Sequence, residues 1–468
     1  MSALTIRRIT FREACLAMVL LFVGLGLQLA CGGHKGAPLA VISTFKGAPA
    51  TITPGQGTVL SFTFSGGTGS IDHGVGSVTS GQQVTVVPTV TTTYTLSAVN
   101  TDGTATTAST TVSVKAFTGK FVYVANAESG ITGFALNDAT GVLTELGNSP
   151  YDELTDVLHI TSDPQGKFLF AVNGDGEADL LNTVTVYTIN ATTGDLTAVA
   201  APYATGTDPW SAAVDPTGQF LYVRCEGSIS AYAINAITGA LTPLASSGIA
   251  TSAGHGEVVI HPSGQYLFTV GRTSSTVQVF NVNATTGALT ANGSAYALPA
   301  ATGPLGLALN STGEYLFTKG EGTPYSTSSA CFVYGFRVNV STGALTALPV
   351  VDTGLESTDA HHGVHANPTR SVLYLSLYNS TLDYTAYTLN PASGALTAIV
   401  GANYSLFGSN GSDNFTVSRN GKWGFLPDYN NARIAVGAID ATTGALGTPT
   451  FYGVGNFPVS ITVVGTVQ

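Results

Sequence analysis

The sequence predicts an all-β protein: a seven-bladed β-propeller whose C-terminal strand closes the first blade, preceded by a small N-terminal β-sandwich. Three observations predict it. Only 9% of the 468 residues are charged while Gly numbers 56, the composition of many short strands joined by tight turns. A Thr/Ser-Gly turn recurs seven times, at Gly141, Gly194, Gly239, Gly287, Gly343, Gly394 and Gly444. Finally, the strand-like stretch 458–464 is left over after the last repeat, whereas the first repeat starts at Lys120 with no strand ahead of it.

From the N-terminus, Arg7, Arg8 and Arg12 precede an apolar run over residues 14–26. That run is shorter than the ~20 residues a membrane span needs. It leads into Leu27-Gln28-Leu29-Ala30-Cys31-Gly32-Gly33. Residues 1–31 thus resemble a bacterial lipoprotein signal, which implies lipidation at Cys31 and a place in the cell envelope; an ordinary secretory signal is the alternative. Residues 32–38 read as a tether.

Residues 39–115 alternate apolar and polar positions between Gly, Pro and Ser, with strands expected at 59–64, 83–87, 93–99 and 108–114. The run Thr91-Thr92-Thr93-Tyr94-Thr95-Leu96 resembles the immunoglobulin-like modules of bacterial surfaces, which implies a spacer or adhesive module with a protein partner.

Residues 119–468 hold the repeats. One unit reads Gly218-Gln219-Phe220-Leu221-Tyr222-Val223, then Ile229-Ser230-Ala231-Tyr232-Ala233-Ile234, then Thr238-Gly239-Ala240-Leu241-Thr242. A fourth strand precedes most copies. Four strands in about 50 residues make one propeller blade. Pairing the leftover strand with the first blade closes the ring and hides two sheet edges. The segments Gly166-Lys167-Phe168-Leu169-Phe170-Ala171-Val172-Asn173, His261-Pro262-Ser263-Gly264-Gln265-Tyr266-Leu267-Phe268 and Asn283-Ala284-Thr285-Thr286-Gly287-Ala288-Leu289-Thr290 resemble the lactonase-type seven-bladed propellers. That group holds 6-phosphogluconolactonases and carboxymuconate-cyclising enzymes. The resemblance implies the fold and, more weakly, lactone chemistry.

Charge narrows the partners. Lys and Arg total 16 against 27 acidic residues, a formal net charge of −11, so there is no electrostatic footprint for nucleic acid. A small-molecule lactone or a glycan is the expected ligand, with membrane contact only through the lipid. Beyond the leader cysteines Cys15 and Cys31, Cys225 and Cys331 are expected to be unpaired packing residues.

In a propeller, the connections into each innermost strand and those after each second strand meet on one face around the central channel. His159, Asp208, His255, Glu257, Asp359, His361, His362, His365 and Asp413 fall in the first set; Arg224, Glu226, Arg272 and Lys319 fall in the second. Opening a lactone needs a base to activate water and a cation or donor for the oxyanion. His255 or Glu257 is the expected base, with Arg224 and Arg272 as cations. Glu226, Lys319, His362 and Trp210 are the expected substrate contacts, Trp210 either stacking on a sugar or packing in the core. The cluster Asp359-Ala360-His361-His362-Gly363-Val364-His365 offers possible metal ligands, but ordinary loop histidines are the expectation, with no metal and no cofactor.

Two functions follow. The first is an exported hydrolase of a neutral sugar lactone or similar cyclic ester. The second is a non-catalytic propeller that serves as a binding platform for protein or glycan. The lactonase-type propellers carry an Arg-His pair shortly before the innermost strand's His-Pro or Asp-Pro, where this chain has Ser252-Ala253-Gly254-His255-Gly256-Glu257, which favours the second. Convergence of His255, Glu257, Arg224 and Arg272 on one cavity is the test between them.

Overall fold

Each blade is built around one aromatic-rich strand that is largely buried, and buried along its whole length in Phe220–Cys225 and Phe168–Asn173. Residues buried on both faces must be covered by a neighbouring sheet on each side, which a ring of blades supplies. The computed structural model describes residues 38–467 apart from 53–56, 89, 116, 152–155, 175–181, 300–302, 322–328, 358–362, 378–381 and 402–413. The leader with Cys31, the tether, and Asp359, His361, His362 and Asp413 lie outside the described residues. Among the described residues no helix is long and apolar enough to cross a membrane.

Six sheets run outward from the channel in chain order, their innermost strands being Val157–Ser162, Pro209–Val214, Val258–Ile260, Leu307–Leu309, Val364–Ala366 and Thr416–Val417. The seventh sheet is composite. Pro458–Val467 is its innermost strand and pairs antiparallel with Phe117–Asn126, from Pro458↔Asn126 to Val467↔Phe117. The leftover strand closes the first blade, as expected.

The recurrent turn explains itself physically. In blade 3, Asn235 Oδ1 accepts the backbone N–H groups of Ile237 and Thr238, both at 3.0 Å. Gly239 then takes φ +76°, a left-handed conformation open to glycine without penalty. A Cβ there would also lie 2.6 Å from the Phe168 ring of the preceding blade. The same contact joins Gly141 of blade 1 to Trp423 of blade 7, where the Cβ would sit 2.3 Å from the ring. The turn is thus a blade-to-blade spacer. Its aromatic partners belong to cores that span neighbouring blades, such as Phe168, Phe170 and Val172 with Leu221, Val223 and Tyr232. Full burial of such a side chain is worth roughly 1.5–3 kcal/mol.

Residues 39–115 form two sheets, Val41–Ala48 with Thr58–Ser65 and Gln83–Val86, and Thr51–Ile52 with Ala105–Val114, Thr92–Val99, Thr68–Ile71 and Gly76–Val78. Leu60, Phe62, Tyr94, Leu96 and Val112 fill the space between them. The last strand begins at Ala105, earlier than the alternation suggested, because Val99 pairs with Ala105 across the hairpin. This unit sits against the end of the channel where the innermost strands finish. The Gln265 side-chain amide donates to Gln83 Oε1. A cavity of about 930 Å³ separates Pro49, Thr51 and Ile52 from the turns carrying Pro164, Pro216 and Pro262. Cys225 and Cys331 are buried in the blades and not joined by a disulfide.

Candidate functional site at the channel mouth

At the opposite end, blades 3 and 4 bring three loop residues together. Asp208 directly precedes the innermost strand of blade 3, Glu226 follows its second strand, and His255 lies in the loop leading to Val258–Ile260. His255 Nε2 is 2.8 Å from Asp208 Oδ2, with the two side chains 27% and 15% exposed. One donor atom from each of Asp208, Glu226 and His255 lies within 4.8 Å of the others. The Trp210 ring packs on the His255 ring at 4.7 Å between centroids. The half-buried Trp210 is therefore a wall for the imidazole.

Asp208 adopts φ +49°, an unusual conformation for a side-chain-bearing residue that costs about 1–3 kcal/mol unless its surroundings hold it. Here they do. Its N–H donates to Asn182 Oδ1 at 2.7 Å, and its carbonyl accepts the N–H of Glu226 at 3.1 Å. The carboxylate is thereby aimed at His255, while the exposed Glu226 is fixed beside it by its backbone.

Arg224 does not reach the mouth. It is fully buried, and its guanidinium donates to Thr269 Oγ1 at 3.0 Å, to the carbonyls of Ser252 and Gly254 at 2.8 Å each, and to the carbonyl of Cys225. Burial lowers its pKa from 12.5 to about 10, which leaves it charged at neutral pH. The expected cation for the substrate is instead a clamp on the loop that carries His255. Its placement follows from its strand, Phe220–Cys225, whose side chains point between blades. Arg272 stays with His255, its N–H donating to the His255 carbonyl at 3.0 Å.

Glu257 is also placed differently from the expectation. It is 6% exposed and lines the channel below the mouth, where Oε2 accepts the Leu307 N–H at 2.6 Å and Oε1 faces Asn414 Nδ2 at 3.5 Å. Asn414 Oδ1 in turn bonds His365 Nε2. This belt joins blades 4, 5, 6 and 7 across a channel of about 390 Å³. Lys319 is buried, and its ammonium donates to the Ser376 carbonyl at 3.2 Å, tying blade 5 to blade 6.

The four expected catalytic residues therefore do not converge on one cavity, so that quartet fails as a catalytic centre, and a hydrolase reading has to rest on other groups of the mouth. His255 stands at the mouth with the Arg272 backbone bonded to its carbonyl, Glu257 sits deeper, and Arg224 is structural. The partner that sequence reasoning left unpaired is Asp208. It stood among the residues of this face, and the only further signal was its place before Pro209.

Chemically, the pair is a carboxylate-oriented imidazole. Nε2–H donates to Asp208, and Nδ1, which has no hydrogen-bond partner among the described residues, is left as the acceptor.

Comparison with known proteins gives a consistent family. The family model "Lactonase, 7-bladed beta-propeller" matches residues 73–180, 159–255 and 182–304. The 6-phosphogluconolactonase of Yersinia pestis is 28% identical over 159 residues, 33% of this chain and 44% of that protein. The 6-phosphogluconolactonase of Serratia proteamaculans is 28% identical over 176 residues, 36% of this chain and 47% of its own length. The matches thus span less than half the length of these relatives. Among solved structures, the periplasmic gluconolactonase of Pseudomonas aeruginosa superposes with a TM-score of 0.62 at 21% identity, covering 74% of this chain and 99% of its own. A Lactobacillus plantarum protein superposes with a TM-score of 0.59 at 20% identity, over 74% and 99% respectively. At that identity the likeness is one of fold.

Proposed function

Because the chain belongs to the lactonase-type seven-bladed β-propeller family, we propose that it hydrolyses a neutral sugar lactone or a similar cyclic ester at the mouth between blades 3 and 4. The observation that carries this reading is the His255–Asp208 pair, 2.8 Å apart. Asp208 holds the imidazole in the tautomer with hydrogen on Nε2. Nδ1 takes a proton from water, and the hydroxide attacks the lactone carbonyl. Arg272, on the loop tied to His255, supplies positive charge for the oxyanion. The imidazolium then returns its proton to the leaving alkoxide, and the ring opens to a hydroxy acid. Three carboxylates, Asp208, Glu226 and Glu257, lie at or just below the mouth, while Arg224 and Lys319 bond to backbone carbonyls. That balance favours an uncharged lactone over a phosphorylated one. The protein would do this in the cell envelope, exported by residues 1–31 and anchored through Cys31, with residues 39–115 as an immunoglobulin-like module.

A panel of phosphorylated and unphosphorylated lactones followed by proton release tests the reading. Turnover that falls by about 10²–10⁴-fold in His255→Ala is the expected result for loss of a general base. The second reading is a binding platform without catalysis. It is favoured by the internal saturation of Arg224 and the tying of Glu257 to Leu307, and it is the conclusion if the folded protein turns over no lactone.

A further inference from the structure

The dyad accounts for His255 and Asp208 but leaves Glu226 without a role. Its exposed carboxylate lies within 4.8 Å of both partners' donor atoms, and nothing in the water-activating step calls for a second acid there. From this juxtaposition of Asp208, Glu226 and His255 we infer a site for a divalent transition-metal ion of the zinc class, in competition with the proton on His255 Nε2.

The geometry is close to what such an ion requires. Zinc binds imidazole nitrogen and carboxylate oxygen at about 2.0–2.2 Å, so the donors of a tetrahedral site stand roughly 3.3–3.6 Å apart. The His255–Asp208 separation is already 2.8 Å, and the longest separation in the trio is under 4.8 Å. The remaining closure falls to Glu226, an exposed side chain with three rotatable bonds. The other two ligands are held. Asp208 is fixed by Asn182, and the His255 ring is packed against Trp210. The Glu226 backbone is bonded to the carbonyls of Thr207 at 2.9 Å and Asp208 at 3.1 Å. Because the two carboxylates come from neighbouring loops of blade 3 and the imidazole from blade 4, the site spans a blade junction. One imidazole with two carboxylates suits zinc, copper or nickel, where magnesium and calcium prefer oxygen alone. Two negative charges match the ion's double positive charge.

The consequence for catalysis rests on the hydrolase reading above. When the ion takes Nε2, the proton that Nε2 carried moves to Nδ1 through solvent. The count of protons on the ring is unchanged, but the atom that accepted the proton from water is now occupied. The ion therefore acts as a brake on the dyad. Glu226 is the ligand that serves the ion and not the base.

The test is calorimetric titration of the metal-stripped full-length protein with zinc chloride, alongside lactone turnover with and without zinc. The expected result is saturable binding near one equivalent, lost in His255→Ala and weakened at least tenfold in Glu226→Gln. Cobalt substituted for zinc should show the visible absorption of a nitrogen-bearing site in the parent but not in His255→Ala. Turnover of the stripped protein should fall as zinc is added, and Glu226→Gln should need at least tenfold more zinc for the same loss. Zinc binding that survives in His255→Ala, or no binding at all, overturns the site. Zinc that binds at the trio and accelerates turnover keeps the site and overturns its role as a brake. The hydrolase reading fails separately, when the stripped protein turns over no lactone whether or not zinc binds.

Discussion

Blade 4 carries a histidine at each end of its innermost strand, and the two have opposite surroundings. His255, three residues before Val258–Ile260, is partly exposed, paired with Asp208 and open at Nδ1. His261, directly after the same strand, is fully buried, bonded through Nδ1 to Ser263 at 2.7 Å and pressed against Gly313 of the next blade. Burial pushes its pKa down from 6.5 to about 4. The matching positions of other blades are Asp163, Asp215, Asn310, Asn367 and Ser418. There Asp215 accepts the N–H groups of Gln219 at 2.6 Å and Phe220 at 2.7 Å. His261 is one more turn-closing acceptor. A histidine is informative in this fold by which end of the channel it occupies, since the same side chain closes a turn at one end and stands ready to move a proton at the other.

Substitutions should break this contrast in a graded way. His255→Ala is expected to abolish most lactone turnover while the melting temperature changes little. His261→Asn should leave kcat and KM near the parent's, because residue 261 lies at the far end of the strand. The next largest effect is expected from Arg224→Met. Removing the guanidinium leaves the carbonyls of Ser252 and Gly254 without their donor, a loss of about 3–5 kcal/mol by chemical denaturation. Arg224→Lys, which keeps the charge without the fork, should recover part of the stability. It should still lower kcat more than it raises KM, because the loop that carries His255 is held less well.

Acid should also separate the two histidines. The unfolded chain binds a proton at His261 with a pKa near 6.5 while the folded chain resists it until about 4. Between those values the unfolded state holds more protons, so stability falls as pH drops through that window and levels off below it. The loss approaches roughly 3 kcal/mol, and urea titrations of His261→Asn should show it flattened. The smallest effect is expected from Gly239→Ala, at about 1–3 kcal/mol, from the left-handed backbone and the contact with Phe168. Thermal melts should register it without any change in turnover per folded molecule.

The ring was legible because its determinants are local and repeated. Each turn needs an acceptor such as Asn235 and a glycine such as Gly239 within five residues, and both recur between the third and the outermost strand of the blades. The closing strand could be read by elimination, since it had no other partner. The site was less legible because it is assembled across blades. His255 could be seen facing the mouth, but its pairing with Asp208 depends on how far blade 4 is rotated from blade 3 and on the φ of +49° at Asp208, neither of which has a sequence signature. Arg224 misled for the complementary reason. A charged residue at a strand end reads as exposed, and only the blade interface reveals the carbonyls that hold it. Nothing in the local sequence of Glu257 pointed to Leu307 or Asn414 as its neighbours.

The composite first blade has a consequence for the order of assembly. During synthesis, Phe117–Asn126 emerges before six further blades and waits with an unsatisfied edge until Pro458–Val467 follows. The contacts that build the mouth lie within blades 2, 3 and 4 and become available long before that. A nascent chain can therefore hold a formed His255–Asp208 pair on a ring that is still open, and the last strand acts as a latch whose loss would release all seven blades from mutual restraint. Shortening the chain from its C-terminus by ten residues should consequently cost cooperativity first, with the unfolding transition broadening before its midpoint falls.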